Sequence, residues 1–192
     1  MWRALVILFA LAASPAAAQD WMAPLKPVDR ARIENLGASR EKALQLASSG
    51  KPEDLRAVQA LLAAPAIPLD LTAKLEGRWR CRSFQLGGIL ALTANPFFEC
   101  RIVREGDHVF LEKSTGGTRR KATLVFIDPL RMLFYGAYRA SGEPQRPYGA
   151  DDYRDEVGIL DQLSPDRLRV ELPEPRAYNS ARHEVIELVR AR

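Results

Sequence analysis

Histidine and cysteine, the side chains that most often ligate transition metals or act as base and nucleophile, occur only twice each in the 192 residues. A zinc site takes three or four such ligands, and neither His108 nor His183 has a second histidine or a cysteine at ligand spacing. Both fall at the start of a strand pattern, where exposed strand-end histidines are expected. Also missing are the G-x-S-x-G elbow that lifts a serine onto a strained turn, the calcium loop with its central glycine and any C-x-x-C pair. A triad assembled from distant positions stays open, because its members converge in space and not along the chain. No catalytic residue, no cofactor-binding residue and no metal ligand is therefore assigned, and no cofactor is expected.

Long apolar runs are equally scarce. The one stretch of any length, Ala4 to Ala13, falls short of the ~20 residues that span a bilayer. It follows Met1-Trp2-Arg3 and precedes Ser14-Pro15 and Ala16-Ala17-Ala18. That is the layout of a cleaved secretory signal over residues 1–18, with the cut between Ala18 and Gln19. The expectation is a soluble periplasmic or secreted protein without a membrane span. An uncleaved anchor is the other reading, disfavoured because the small-residue site follows the apolar run so closely. No cysteine stands at the cut to carry a lipid.

Charge of one sign is not concentrated anywhere. The formal net charge is +4, from 28 basic and 24 acidic residues, and cleavage would remove one basic residue, Arg3. Such a mixed balance argues against a nucleic-acid partner, which calls for lysine and arginine gathered on one face. In an oxidising compartment the two cysteines have one intramolecular connectivity, and Cys81–Cys100 is expected as a disulfide.

After a linker over 19–27 containing Pro24 and Pro27, residues 28–66 read as a helical hairpin. Val28 to Ser49 is rich in Ala, Leu, Arg, Glu and Lys, with Gly37 weakening its middle; Gly50-Lys51-Pro52 stops it and restarts a second helix, Pro52 to Ala63. Leu55, Val58, Leu61 and Leu62 share one side of that second helix and need a surface to bury them.

From Leu75 the texture changes to short period-two segments punctuated by Gly, Pro, Asp and Ser. Eight strands are predicted: Gly77–Leu86, Phe97–Arg104, His108–Lys113, Arg119–Ile127, Arg131–Tyr138, Tyr153–Leu163, Arg167–Leu172 and His183–Arg190. Tight connections such as Glu105-Gly106-Asp107 and Ser164-Pro165-Asp166 make consecutive strands neighbours. The fold class is mainly β: an eight-stranded antiparallel up-and-down barrel over 67–192, preceded by the two-helix hairpin packed on it. The loop from Arg139 to Ala150 is expected to be a mobile rim. In the opening hairpin, Cys81 is expected directly opposite Cys100, which sets Trp79 against Ile102, Ser83 against Phe98, Arg82 against Glu99 and, unfavourably, Arg80 against Arg101.

Three groups of residues have chemical potential. Asp151, Asp152, Asp155 and Glu156 cluster after the long loop, as paired carboxylates or as a solvated acidic edge. Arg78, Arg80 and Arg82 alternate along one strand, with Arg101 and Arg104 on its neighbour; they read as an outward face paired with acids, or as a site for an anionic envelope component. Inward candidates are Trp79, Phe98, Ile102, Leu111, Leu124, Phe126, Phe134, Val157, Val170 and Ile186. An eight-stranded barrel is filled by side chains or holds one small ligand, and so much bulk favours filling.

Gly77-Arg78-Trp79 resembles the Gly-x-Trp start of lipocalin-like (calycin) barrels, in which the tryptophan plugs one end and an arginine from a late strand packs across it. Arg190 or Arg192 would supply that arginine; the later lipocalin signatures and the C-terminal helix are missing. A broader resemblance, from the helical hairpin to the last strand, is to a family of exported bacterial proteins, domain of unknown function 4893. It rests on Leu75-Glu76-Gly77-Arg78-Trp79-Arg80-Cys81-Arg82, Phe97-Phe98-Glu99-Cys100-Arg101-Ile102, Leu111-Glu112-Lys113 with Thr115-Gly116, Tyr135-Gly136-Ala137, Val157-Gly158 and Glu171-Leu172-Pro173. It implies no activity, ligand or catalytic residue. The functional expectation is a non-enzymatic binding or envelope-structural module holding a small apolar or amphipathic ligand. The alternative is a hydrolase or isomerase using the acids near Asp151 with Tyr135 or Tyr148 at the barrel mouth.

Overall fold

The computed structural model describes residues 20–69, 75–177 and 181–191. The expected signal segment, the expected cut between Ala18 and Gln19, and Arg192 lie outside them. The order is α1 (Pro27–Glu34), α2 (Leu36–Ala47), α3 (Pro52–Ala63), β1 (Gly77–Leu86), β2 (Leu92–Ala94), β3 (Phe98–Glu105), β4 (His108–Lys113), β5 (Thr118–Asp128), β6 (Arg131–Ala140), β7 (Asp155–Ser164), β8 (Arg167–Pro173) and β9 (His183–Arg190). Strands β3 to β9 pair in sequence order, β1 pairs with β3, and β9 returns to β1. The sheet is thus a closed eight-strand antiparallel barrel, as expected, with β2 as an extra strand on Phe84–Leu86 of β1.

Two departures concern the elements. The first helical segment is broken at Asn35 (φ −89°, ψ 10°) rather than weakened at Gly37. The three-residue β2 is too short to show a period-two pattern.

The opening hairpin is offset by two residues from the expected register. Trp79 faces Cys100, Cys81 faces Phe98, Arg80 faces Glu99 and Arg78 faces Arg101. An even offset preserves which side each residue faces, so the Cys81–Cys100 disulfide forms on the inner face as a diagonal link, with Cα atoms 5.8 Å apart. Asn95 fixes the point where β1 changes partner: its backbone N–H donates to the Ser83 carbonyl (2.9 Å) and its side-chain amide to the Ser83 hydroxyl (3.0 Å).

Gly136 and Gly158 allow neighbouring strands to approach closely. A Cβ on either would lie 2.2 Å from the Lys121 carbonyl oxygen or 2.4 Å from that of Glu171. Inward glycines of this kind sit where coiled barrel strands bend most sharply.

Among the described residues, three apolar clusters hold the fold together. One fills the barrel, including Trp79, Ile102, Leu111, Phe134, Leu160 and Leu172. A second lies between α2 and α3 and the outer side of β1, β2 and β9, and a third packs α1 against β6 and β7. Two expected interior residues are elsewhere. Val157 belongs to the third cluster, outside the barrel, because β7 is buried on both sides and shows no alternation. Phe126 is 44% exposed, beside a bulge between Phe126 and Asp128.

Candidate functional site

The barrel interior is the first place where a ligand would be sought, and both of its ends are stopped by side chains. At one end the indole of Trp79 donates to the Leu75 carbonyl (2.9 Å), and the Arg190 guanidinium lies 4.2 Å over its ring. At the other, Lys113 lies 4.1 Å over the Phe98 ring and donates to the carbonyls of Thr115 (2.8 Å) and Thr118. Gly116, with φ +87°, brings the β4–β5 loop across this end so closely that a Cβ would be 2.8 Å from Phe98.

Beneath the second stop is a charged cluster that alternation could not reveal, since an inward charge in a strand looks like an outward one. Arg120 is 3% exposed and reaches both carboxylate oxygens of Glu184 at 3.2 Å, with Glu156 at 3.5 Å. Neither oxygen of the fully buried Glu156 has a hydrogen-bond partner among the described residues. Burial pushes the Glu156 carboxyl up to about 7; Arg120 opposes the shift and Glu184 adds to it. Burial, reinforced by Arg120, pushes Lys113 down to about 8. Burial also raises the Tyr138 phenol.

The acids that follow the long loop separate. Glu156 enters the barrel, whereas Asp152 and Asp155 both hold the Lys26 ammonium, Asp155 at 2.7 Å. Asp155 also accepts from the Gly149 N–H (2.9 Å), and Asp151 accepts from the Tyr153 N–H (3.0 Å). Tyr148 donates to Asp29 at 2.6 Å and accepts from the Lys26 N–H at 3.0 Å. Burial and then the Asp29 contact raise its phenol pKa. Tyr135 stacks edge-on against Tyr148, and both line a pocket of about 340 Å³ with Phe110, Lys121, Gln145 and Arg146 but no acid. The loop expected to be a mobile rim is tied to the body at Gln145, Tyr148 and Gly149.

The two histidines differ. His108 is exposed, but His183 is fully buried, contrary to expectation. Its Nδ1 lies 3.1 Å from the Ser39 hydroxyl and its Nε2 lies 3.2 Å from Glu171. The order serine, histidine, acid is that of a hydrolytic triad, but here it docks a helix. Ser39 is 6% exposed and donates to the Arg182 carbonyl at 2.8 Å, so its proton anchors α2 to the start of β9. Glu171 is shared by Arg40 (2.6 Å) and Arg169 (3.2 Å). Burial alone would raise its pKa, but His183, Arg40 and Arg169 together hold it below the usual carboxylate range. Similar anchors serve the other helices: Arg169 donates to the Leu61, Leu62 and Ala64 carbonyls at the end of α3. Arg32 links α1 to the Pro173 and Glu174 carbonyls.

The outward arginines are mostly paired. Arg82 binds Glu187, Arg101 binds Glu112 and Arg104 binds Glu76. Arg78 and Arg80 line an open groove with Arg101 across the β1–β3 seam. Among the described residues no group of three or more His, Cys, Asp or Glu side chains has metal-site geometry, and no helix is long and apolar enough to cross a membrane.

The family model described as "Domain of unknown function (DUF4893)" matches residues 21–188, from the segment before α1 into β9. No curated protein and no solved structure matches the chain.

Proposed function

We propose that this chain, which belongs to the domain of unknown function (DUF4893) family, is a non-enzymatic envelope module that acts through its outer surface. The observation that carries this reading is the filled barrel: a contiguous cluster of buried apolar side chains occupies the interior between the Trp79 and Phe98–Lys113 stops. A small apolar ligand would have to displace that packing, at the cost that overfilling a dense core carries. The enzyme alternative has less support, because the tyrosines at positions 135 and 148 and the acids at 151, 152 and 155 do not converge on one open pocket. Export after Ala18 is supported by the three-part N-terminus and by a disulfide, which persists in oxidising compartments.

The test is native mass spectrometry of protein isolated gently from the periplasm. The expected species is residues 19–192 with one disulfide and no adduct. A stoichiometric apolar small molecule retained through purification would overturn the surface reading and restore the carrier.

A further inference from the structure

The groove across the β1–β3 seam has a volume of about 820 Å³, within the ~300–1,000 Å³ typical of small-molecule sites. Among the described residues its charge is unbalanced: Arg78, Arg80 and Arg101 line it against one carboxylate, Glu99. The register sets Arg78 directly opposite Arg101, a like-charge cross-strand pair that destabilises a sheet unless something compensates it.

Several basic side chains elsewhere on the outer surface find acids, although exposed ones such as Arg56 and Arg146 form no ion pair among the described residues. Arg82 and Arg167 share Glu187, Lys121 binds Glu105 and Glu112, Arg131 binds Asp128, and Arg154 binds Glu143. Arg78 and Arg80 are exposed and have no carboxylate within ion-pair distance among the described residues. Glu99 faces Arg80 in register without forming an ion pair with it. Arg80 is nevertheless held in place, its guanidinium 4.8 Å from the Phe97 ring, with Arg82 also 4.9 Å from that ring. Arg101 is braced from the far side by Glu112 at 2.5 Å. Thr115, whose hydroxyl accepts from the Glu99 N–H at 2.9 Å, closes the upper rim.

We propose that this groove is a binding site for a phosphate ester, with Arg78, Arg80 and Arg101 as its anion ligands and Phe97 as the surface for the ester's carbon portion. A tetrahedral phosphate presents several charged oxygens to more than one guanidinium fork, and its charge removes the repulsion between Arg78 and Arg101. The inference rests on the reading that the molecule acts through its outer surface. Phosphate of this kind is available from soluble esters or from lipid headgroups, and the experiment separates the two.

The ¹⁵N-labelled protein, with its disulfide intact, is titrated with glycerol 3-phosphate while the arginine Nε–Hε resonances are followed. In parallel it is sedimented with vesicles of phosphatidylglycerol and phosphatidylcholine, and with phosphatidylcholine vesicles alone. Saturable shifts at Arg78, Arg80 and Arg101 identify a soluble-ester site; binding only to the phosphatidylglycerol vesicles identifies a headgroup site. In either arm R78A/R80A is expected to weaken binding by an order of magnitude or more, R78K/R80K to retain part of it, and R131A to leave it unchanged. The proposal is overturned if neither arm shows binding, or if R78A/R80A binds as tightly as the parent. It is also overturned if shifts are spread evenly over all exposed arginines. A protein that fails here yet leaves the periplasm without an adduct loses this site alone, and the filled-barrel reading stands.

Discussion

Arg190, near the end of the last strand, lies with its guanidinium 4.2 Å above the ring of Trp79, the third residue of the first strand. Because β1 and β9 also pair Trp79 with Arg190 in register, the seam that closes the barrel and the side chain that stops its end are one feature. Trp79→Ala is expected to cost about 3–5 kcal/mol, as for other large aromatic deletions in cores. Arg190→Ala should cost about 1–2 kcal/mol through the lost cation–π contact. Urea unfolding followed by far-ultraviolet circular dichroism, which does not depend on a tryptophan, measures both.

Glu156 makes stability depend on pH in an unusual direction for an acid. Its folded pKa, about 7, lies above the ordinary 4.5, so the folded state holds the proton more tightly. That contribution is fully present below about 4.5 and is lost as pH rises through about 7. Glu156→Gln keeps the neutral form at every pH. It should stabilise the protein at pH 8 by up to about 3 kcal/mol and have little effect at pH 4, a difference read from paired denaturation curves.

Glu171 behaves in the opposite sense. Its carboxyl is held low by His183, Arg40 and Arg169 against the effect of burial, so its contribution is present at neutral pH and fades as pH falls through the folded value. Glu171→Gln removes the carboxylate of Arg40 and one of the two that hold the buried Arg169, which keeps Asp161, and should cost about 2–3 kcal/mol at pH 7. The deficit should shrink in acid, and hydrogen exchange should show α2 loosening first.

The disulfide joins residues 19 apart in sequence, and its removal in C81S/C100S should cost about 3 kcal/mol through the closed loop it places on the unfolded chain. Equal denaturation midpoints with and without the bond would contradict that.

Much of the barrel was readable because strands such as β1, β3 and β5 are half-buried and alternate, and because turn residues marked most connections, including those that bound β7, β8 and β9, which are covered on both sides. The errors have common physical causes. An offset of two residues in the β1–β3 register leaves every side chain on its own side, so the period-two pattern is blind to it. Strand β7 is covered on both sides, which hid both the outward Val157 and the inward Glu156. His183 read as exposed because its cover, Ser39 on α2, is 144 residues away in sequence. Arginines on an outer strand are visible in a sequence, but whether each has a carboxylate depends on register and on neighbours from elsewhere in the chain. That Arg78 and Arg80 form no ion pair among the described residues was therefore visible only in the fold.

The filled interior is tested most directly by methyl NMR under xenon pressure, since xenon enters dry apolar cavities that are too small for a larger ligand. With the barrel packed between Trp79 and Phe98, the methyl resonances of Leu111, Leu160 and Leu172 should move only by the small linear drift that pressure causes. Saturable shifts centred on those three residues would reveal an internal cavity and contradict the surface mode of action.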